Sequence, residues 1–358
     1  MIDQIKNRII TILFVLVLVT FLILNIIKKD QEISLSERRK LEQFPSISIN
    51  NLIDGTFFQK FDQYSLDQFI KRDQFRSLKA HIELQLKKEY HQIYLDHDYL
   101  IEQLYPINQK SLEQFVLKIN QIQNMYLKNN QVYFSIIPDK NYFGSSNHLK
   151  MDYSKLEAYL KQHLNMDYID IMDSLTLKNY YLTDPHWKQE TLIEVASTLS
   201  NGLKVPFKND YEVKKIANFK GTYAYQLPIQ TKQDELKVLV NGTIQNSYLY
   251  NYETKKETKL YYKNQNSIDP YDIYLSGSTP IVTIQKKETH TGKELIIFRD
   301  SFASSLAPLL LNGYDKITLI DTRYISPKLI GNYIEIQNQD ILFLYSTLII
   351  NNSFSLKS

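Results

Sequence analysis

Five short apolar runs constrain what this chain can fold into more than any other feature. They are "QVYFSIIP" (131–138), "MDYIDIM" (166–172), "ELIIF" (294–298), "KITLID" (316–321) and "ILFLYS" (341–346). Most are nearly continuous in apolar residues rather than alternating, which is the pattern of strands buried on both faces. Helical patterns fall between them, near 153–163, 187–200, 302–313 and 327–337. This alternation predicts a mostly parallel sheet with helices packed on both faces. Residues 205–286 read differently. They are rich in Tyr, Thr, Lys and Asn, with short alternating runs such as "ELKVLVNGTIQNSYLY". They predict a β-rich insertion between two halves of the α/β domain, and "VNGT" predicts a hairpin turn within it.

Ahead of this domain, "IITILFVLVLVTFLILNII" (9–27) is about 19 residues without a charge, enough to span a bilayer as one helix. No small-x-small cleavage site follows, so an uncleaved anchor is expected rather than a removed signal. Lys6 and Arg8 precede the segment while Lys28 and Lys29 follow it, so basic residues alone do not orient it. The polar stretch 30–45 reads as a connector. Phe57, Phe61 and Tyr64 then recur at helical spacing and predict a packed helix. The expected organisation is a membrane anchor at 1–29, a juxtamembrane helical region at 30–84 and the α/β domain at 85–358.

The charge balance, 42 basic against 39 acidic residues, gives no electrostatic case for nucleic acid. Cysteine is absent, which rules out disulfides, thiolate nucleophiles and Cys-based metal sites. No Gly-rich phosphate loop occurs, and no cofactor is indicated.

Ligands of parallel α/β sheets bind beyond the carboxyl ends of the strands. Two segments there carry chemistry. In "FRDSF" (298–302), Ser301 would open a helix, where free N–H groups favour a developing negative charge. In "YYLTDPHWKQE" (180–190), Asp184 stands two residues before His186, beside the sole tryptophan, Trp187. Brought together, Ser301 would be a nucleophile, His186 its general base and Asp184 the group that orients the imidazole. The plainer reading makes Asp184-Pro185 a helix start, with Asp as N-cap and Pro at the first helical position. Asp300 or Ser301 would likewise serve as a cap. Ser304 and Ser305 are rival nucleophiles inside the helix. Lys140 in "PDK", Arg299 and Arg323 all stand at strand ends. They are candidates to touch substrate or support the site, with a turn or a structural salt bridge as the ordinary alternatives. The "DHD" run (96–98) is a weak metal candidate, because contiguous side chains point in different directions.

Taken in order, "ERRKLEQFP", "FFQKFDQYSLDQFIKRDQFR", "IIPDKNYF", "YYLTDPHW", "FKGTYAY", "IFRDSFASSLAPLL" and "LIDTRY" resemble the DHHW family. More distantly they resemble the alginate O-acetylation proteins with an SGNH-hydrolase-like domain. The resemblance covers nearly everything after the apolar segment. It implies a three-layer α/β/α fold and assigns acid–base roles to Asp184 and His186 and the nucleophile to Ser301. The order Asp, His, Ser reverses that of ordinary SGNH hydrolases; triads are defined by geometry, so order is no objection. Pro185 replaces the first His of the family's Asp-His-His-Trp and removes a backbone donor there. For the oxyanion, the Ser301 N–H and Gly277 are the candidates. Some alginate relatives carry a carbohydrate-binding module, and here polymer binding is expected to fall to the insertion and the sheet edge.

The resemblance implies O-acetylation of a cell-surface or exported polysaccharide, outside the cell membrane. Because acetyl donors are cytoplasmic, it also implies a multi-spanning membrane acyltransferase as partner. An acetylesterase with the same triad, and a non-catalytic glycan-binding scaffold of an export complex, are the competing readings.

Overall fold

In a computed structural model, the chain is described at every residue except 1, 35, 38, 146, 263–266, 268, 289 and 290. It divides into two compact units. One comprises residues 92–224 and 231–358 and is built on an eight-stranded sheet. Its strands are β1 (Val132–Ile137), β2 (Asp167–Tyr168), β3 (Ser247–Asn251), β4 (Lys256–Thr258), β5 (Ile281–Lys286), β6 (Glu294–Arg299), β7 (Lys316–Ile320) and β8 (Asp340–Ser346). Their spatial order is β4-β3-β5-β7-β6-β8-β1-β2. The five strands from β7 to β2 are parallel throughout, and these are the five apolar runs. Both sheet faces are covered, as two-sided burial requires. On one face Leu295, Ile297, Leu342 and Leu344 meet Val195, Leu199, Leu306 and Leu309. On the other, Ile296, Phe298, Ile341 and Phe343 meet Phe115, Ile119, Ile122 and Leu156.

Three local expectations need correction. The 166–172 run pairs over only two residues, because Asp170 accepts from the Met172 N–H and turns the chain out of the sheet. The insertion is β-rich, but among the described residues only Glu212–Phe219 and Asp234–Val240 form a ladder of their own; β3, β4 and β5 extend the main sheet as antiparallel strands. "VNGT" makes no hairpin. A type I′ turn needs positive φ at both central residues, whereas Asn241 has φ −147 and its side chain caps a short helix, Gly242–Gln245, by accepting from the Ile244 N–H.

The other unit comprises residues 1–91 and 225–230. Its first helix is Ile2–Ile27, of which Asp3–Ile27 is long and apolar enough to cross a membrane. Helices Thr56–Asp67 and Arg72–Gln85 follow. The ring of Phe44 meets Phe57, Phe61 and Tyr64 edge-on, which explains their helical spacing. Asp67 is buried and takes both terminal nitrogens of Arg39, at 2.8 and 2.5 Å. Glu37 holds Arg72 at 2.6 Å and Arg76 at 3.3 Å. This network accounts for Glu37 and Arg39 of "ERRKLEQFP"; its Arg38 lies outside the described residues.

Candidate active site

The carboxyl ends of the parallel strands carry the site. Ser301 lies two residues beyond β6, and the intervening Asp300 fixes the turn: its carboxylate accepts from the Phe302 N–H at 3.0 Å and from the Ser346 N–H, at the end of β8, at 2.7 Å. Asp184 does not start a helix. Trp187 instead bridges antiparallel to Tyr180, a 3-10 turn follows at Gln189–Thr191, and the next α-helix begins at Ile193. The chain at 180–187 is therefore a tight loop. Asp184 Oδ1 accepts from the His186 N–H at 3.1 Å and from His186 Nδ1 at 2.6 Å. Asp184 Oδ2 accepts from the Thr222 N–H at 2.9 Å. With Nδ1 donating to the carboxylate, Nε2 is the acceptor of the neutral ring. The Ser301 hydroxyl donates to it at 2.7 Å.

Several groups hold this loop. Buried Lys140 caps it from β1, donating from Nζ to the carbonyls of Tyr181, Leu182 and Asp184 at 2.9, 3.2 and 3.1 Å. Three acceptors match the three hydrogens of an ammonium, and the ring of Tyr223 lies 5.1 Å from Nζ. Burial pushes Lys140 down to about 7, against the pull of Asp184 and Asp234. Asp234 accepts from the Leu182 and Thr183 N–H groups. Gly221 must be glycine: a Cβ there would stand 2.2 Å from the Asp184 Cβ. Burial raises the Asp184 carboxyl, but His186 and the two backbone N–H groups outweigh it and hold it at about 2. The imidazole lies flat on Tyr271, with centroids 3.9 Å apart and planes at 11°, and Phe302 closes another side at 4.8 Å. Tyr271 in turn donates to Ser305 Oγ at 2.9 Å.

The remaining predicted residues sort by burial. Trp187 is fully buried and donates from Nε1 to the Phe302 carbonyl at 2.9 Å and to Ser305 Oγ at 3.0 Å, tying the histidine loop to the serine turn. No surface remains on it for a ligand. Arg299 is also buried, so its side chain is closed off from any ligand arriving from solvent. Its Nη1 lies 3.3 Å from the Asp300 carbonyl and 3.7 Å from Asp321 Oδ2, and burial lowers its affinity for a proton. Arg323 grips Asp321 with two nitrogens, at 2.9 and 2.6 Å. Gly277 is not an oxyanion donor, because its N–H donates to the Tyr274 carbonyl at 3.2 Å. Ser304 and Ser305 are buried, the latter engaged by Trp187 and Tyr271. In "DHD", Asp96 receives the Ser145 N–H while Asp98 pairs with Lys232, so the two carboxylates face different partners. Tyr271, Asp234 and Gly221 escaped the reading of the residues one by one. Of these only Gly221 carried a signal, inside "FKGTYAY".

Sheet order, two covering layers and a candidate site at the strand ends define a three-layer α/β/α domain. No family model matches the chain, and no curated protein sequence matches it. Solved structures do. A DHHW family protein from Eubacterium siraeum shares 16% identity, with 74% of this chain and 95% of that chain covered, at a TM-score of 0.59. Bacillus cereus PatB1 shares 16% identity over 72% of this chain and 96% of its own, at 0.55. PatB1 with a sulfonyl adduct shares 17% identity over 74% and 97%, at 0.56. The fold is thus the one that the DHHW resemblance implies.

Proposed function

We propose that this chain is a membrane-anchored O-acetyltransferase for a cell-surface or exported polysaccharide, working through Ser301, His186 and Asp184. The observation that carries the proposal is the continuous relay from Asp184 Oδ1 to His186 Nδ1 and from Nε2 to Ser301 Oγ, at 2.6 and 2.7 Å. Both distances lie within the reach that proton transfer requires. In the first half-reaction His186 Nε2 takes the Ser301 proton while Oγ attacks the acetyl carbonyl. The imidazolium returns that proton to the leaving group, and the acetyl group remains as a Ser301 ester. In the second, His186 takes the proton of a sugar hydroxyl, whose oxygen attacks the ester. The O-acetyl sugar leaves, and the proton returns to Ser301. Asp184 fixes the tautomer and stabilises the imidazolium in both halves. The Ser301 N–H is the proposed oxyanion donor.

The 9–27 segment anchors the chain, with the α/β domain outside the cell, where glycans are. A multi-spanning acyltransferase would deliver the acetyl group across the membrane. Acetyl-ester hydrolysis shares the first half-reaction, so the acceptor decides between transferase and esterase. Incubation of the full chain with 4-nitrophenyl acetate, with and without oligosaccharide, tests this. A transferase diverts acetyl from water to sugar, while an unchanged yield of free acetate makes the chain an esterase. PatB1, of similar fold, has been solved with a sulfonyl adduct. A sulfonyl adduct forms by nucleophilic attack on sulfur, which makes sulfonyl fluorides suitable probes of Ser301.

A further inference from the structure

The helical unit carries an apolar stripe that stays largely exposed. In helix Arg72–Gln85, Phe75, Leu78 and Ile82 recur at i, i+3 and i+7, followed by Leu86 at its C-cap. That spacing puts them in one stripe. All are exposed, Leu78 at 57% and Leu86 at 62%. The opposite side of the helix holds Ala80, fully buried, with Arg72 and Arg76 in the Glu37 network. Ordinary amphipathic helices bury the apolar stripe; here it is exposed, and Arg72 and Arg76 are the side chains held in ion pairs.

The N-terminal helix shows what lies over that stripe. Phe21, inside the apolar segment, stacks on Phe69 with centroids 5.8 Å apart and planes at 9°, and meets Phe75 at 6.2 Å. Asn25 accepts from the Ile70 N–H at 2.8 Å, and Lys28 Nζ donates to the Gln68 carbonyl at 3.1 Å. These contacts hold the 68–75 turn against the last turns of the apolar helix. Phe21 precedes Ile27 by six residues, about 9 Å of helix rise. That is the depth to which interfacial helices bury their apolar faces, about 5–10 Å. A turn tied to Phe21 is therefore level with the outer acyl chains wherever the apolar helix spans a bilayer. Exposed Phe69 and the stripe then continue the apolar surface of the span itself.

We infer that helix Arg72–Gln85 is a second, interfacial membrane attachment, with Phe75, Leu78 and Ile82 turned into the lipid beside the spanning helix. The inference rests on the reading of 9–27 as an anchor. It would hold the helical unit flat on the membrane rather than leaving it on a free tether.

The chain has no cysteine, so single-cysteine variants can be spin-labelled without background. Full-length Leu78→Cys, Ile82→Cys, His81→Cys and Leu13→Cys would each be reconstituted in phosphatidylcholine–phosphatidylglycerol vesicles. Collision with oxygen, which partitions into lipid, is compared with collision with a water-soluble nickel chelate. Leu78 and Ile82 are expected to favour oxygen and His81, off the stripe, to favour the chelate. Leu13 reports the anchor. If Leu13 favours oxygen while Leu78 and Ile82 favour the chelate, the interfacial attachment is wrong and the anchor stands; a stripe that a protein partner covers in the cell would give this result. If Leu13 itself favours the chelate, the anchor reading fails and the inference falls with it.

Discussion

The ring of Tyr271 lies flat against that of His186, 3.9 Å between centroids and 11° between planes, while its hydroxyl donates to Ser305. The stack blocks one face of the imidazole and leaves Nε2 pointed at Ser301. Tyr271→Phe keeps the stack and removes one neutral hydrogen bond. It should cost about 0.5–1.5 kcal/mol of stability and change kcat/KM for an acetyl ester by only a few-fold. Tyr271→Ala opens a cavity of aromatic size, at about 3–5 kcal/mol, and frees the imidazole. Its kcat should fall far more than that of Tyr271→Phe. Equal kcat for the two variants would deny the ring any positioning role.

Asp184 separates catalysis from capping. An N-cap aspartate is replaced by asparagine with little loss. An orienting carboxylate is not, because asparagine favours the wrong imidazole tautomer. Asp184→Asn should lower kcat by on the order of 10³–10⁴-fold. Steady-state hydrolysis of 4-nitrophenyl acetate measures it. Full activity would return "TDPHW" to a purely structural part.

The same carboxyl sets a pH dependence of stability. Its folded value of about 2 lies below the ordinary 3.8. The carboxylate therefore adds stability that is complete above the unfolded value and is lost as pH falls towards 2. For a fully buried group the difference is about 2 kcal/mol. Between pH 5 and pH 2, denaturant titrations should show the wild type losing about that much more stability than Asp184→Asn. Parallel losses in the two proteins would contradict the assignment.

Lys140 tests the support beneath the triad. Lys140→Met leaves the Tyr181 and Asp184 carbonyls without their donor, while the Leu182 carbonyl keeps the Leu100 N–H, for a loss of about 1–3 kcal/mol per stranded group at most. Because the 181–184 loop would loosen, kcat should drop while KM for a small ester stays near the wild-type value. Lys140→Arg should not restore it, since a planar guanidinium cannot serve three carbonyls arranged around an ammonium. Full rescue by arginine would mean that charge alone matters.

Much of the fold was legible because burial on both faces leaves a plain mark. Runs such as "ELIIF" and "ILFLYS" became parallel strands, and their order with helices implied the layers. Local turns were harder to read. Asn241-Gly242 fits both a hairpin turn and a helix cap, and only tertiary pairing decides between them. Asp184-Pro185 matches a helix start by composition, yet contacts from Thr222 and His186 hold it in a loop. For Arg299, contact with substrate and a structural salt bridge stayed open because sequence does not reveal that its side chain is buried. Tyr271 was invisible among 27 tyrosines, since its partner stands 85 residues away in the chain. Asp184, His186 and Ser301 were candidates because ligands of parallel sheets bind beyond the strand ends, and the DHHW resemblance singled them out.

The central claim is that Ser301 carries the acetyl group, and intact-protein and peptide mass spectrometry of the full chain mixed with 4-nitrophenyl acetate tests it most directly. The account predicts one acetyl group on the peptide that contains Ser301, trapped transiently in the wild type. It should be absent from Ser301→Ala and strongly reduced in His186→Ala, since members of a triad act as a unit. A chain that turns over the ester with no acetyl on that peptide, or that labels as well after Ser301→Ala, would contradict it.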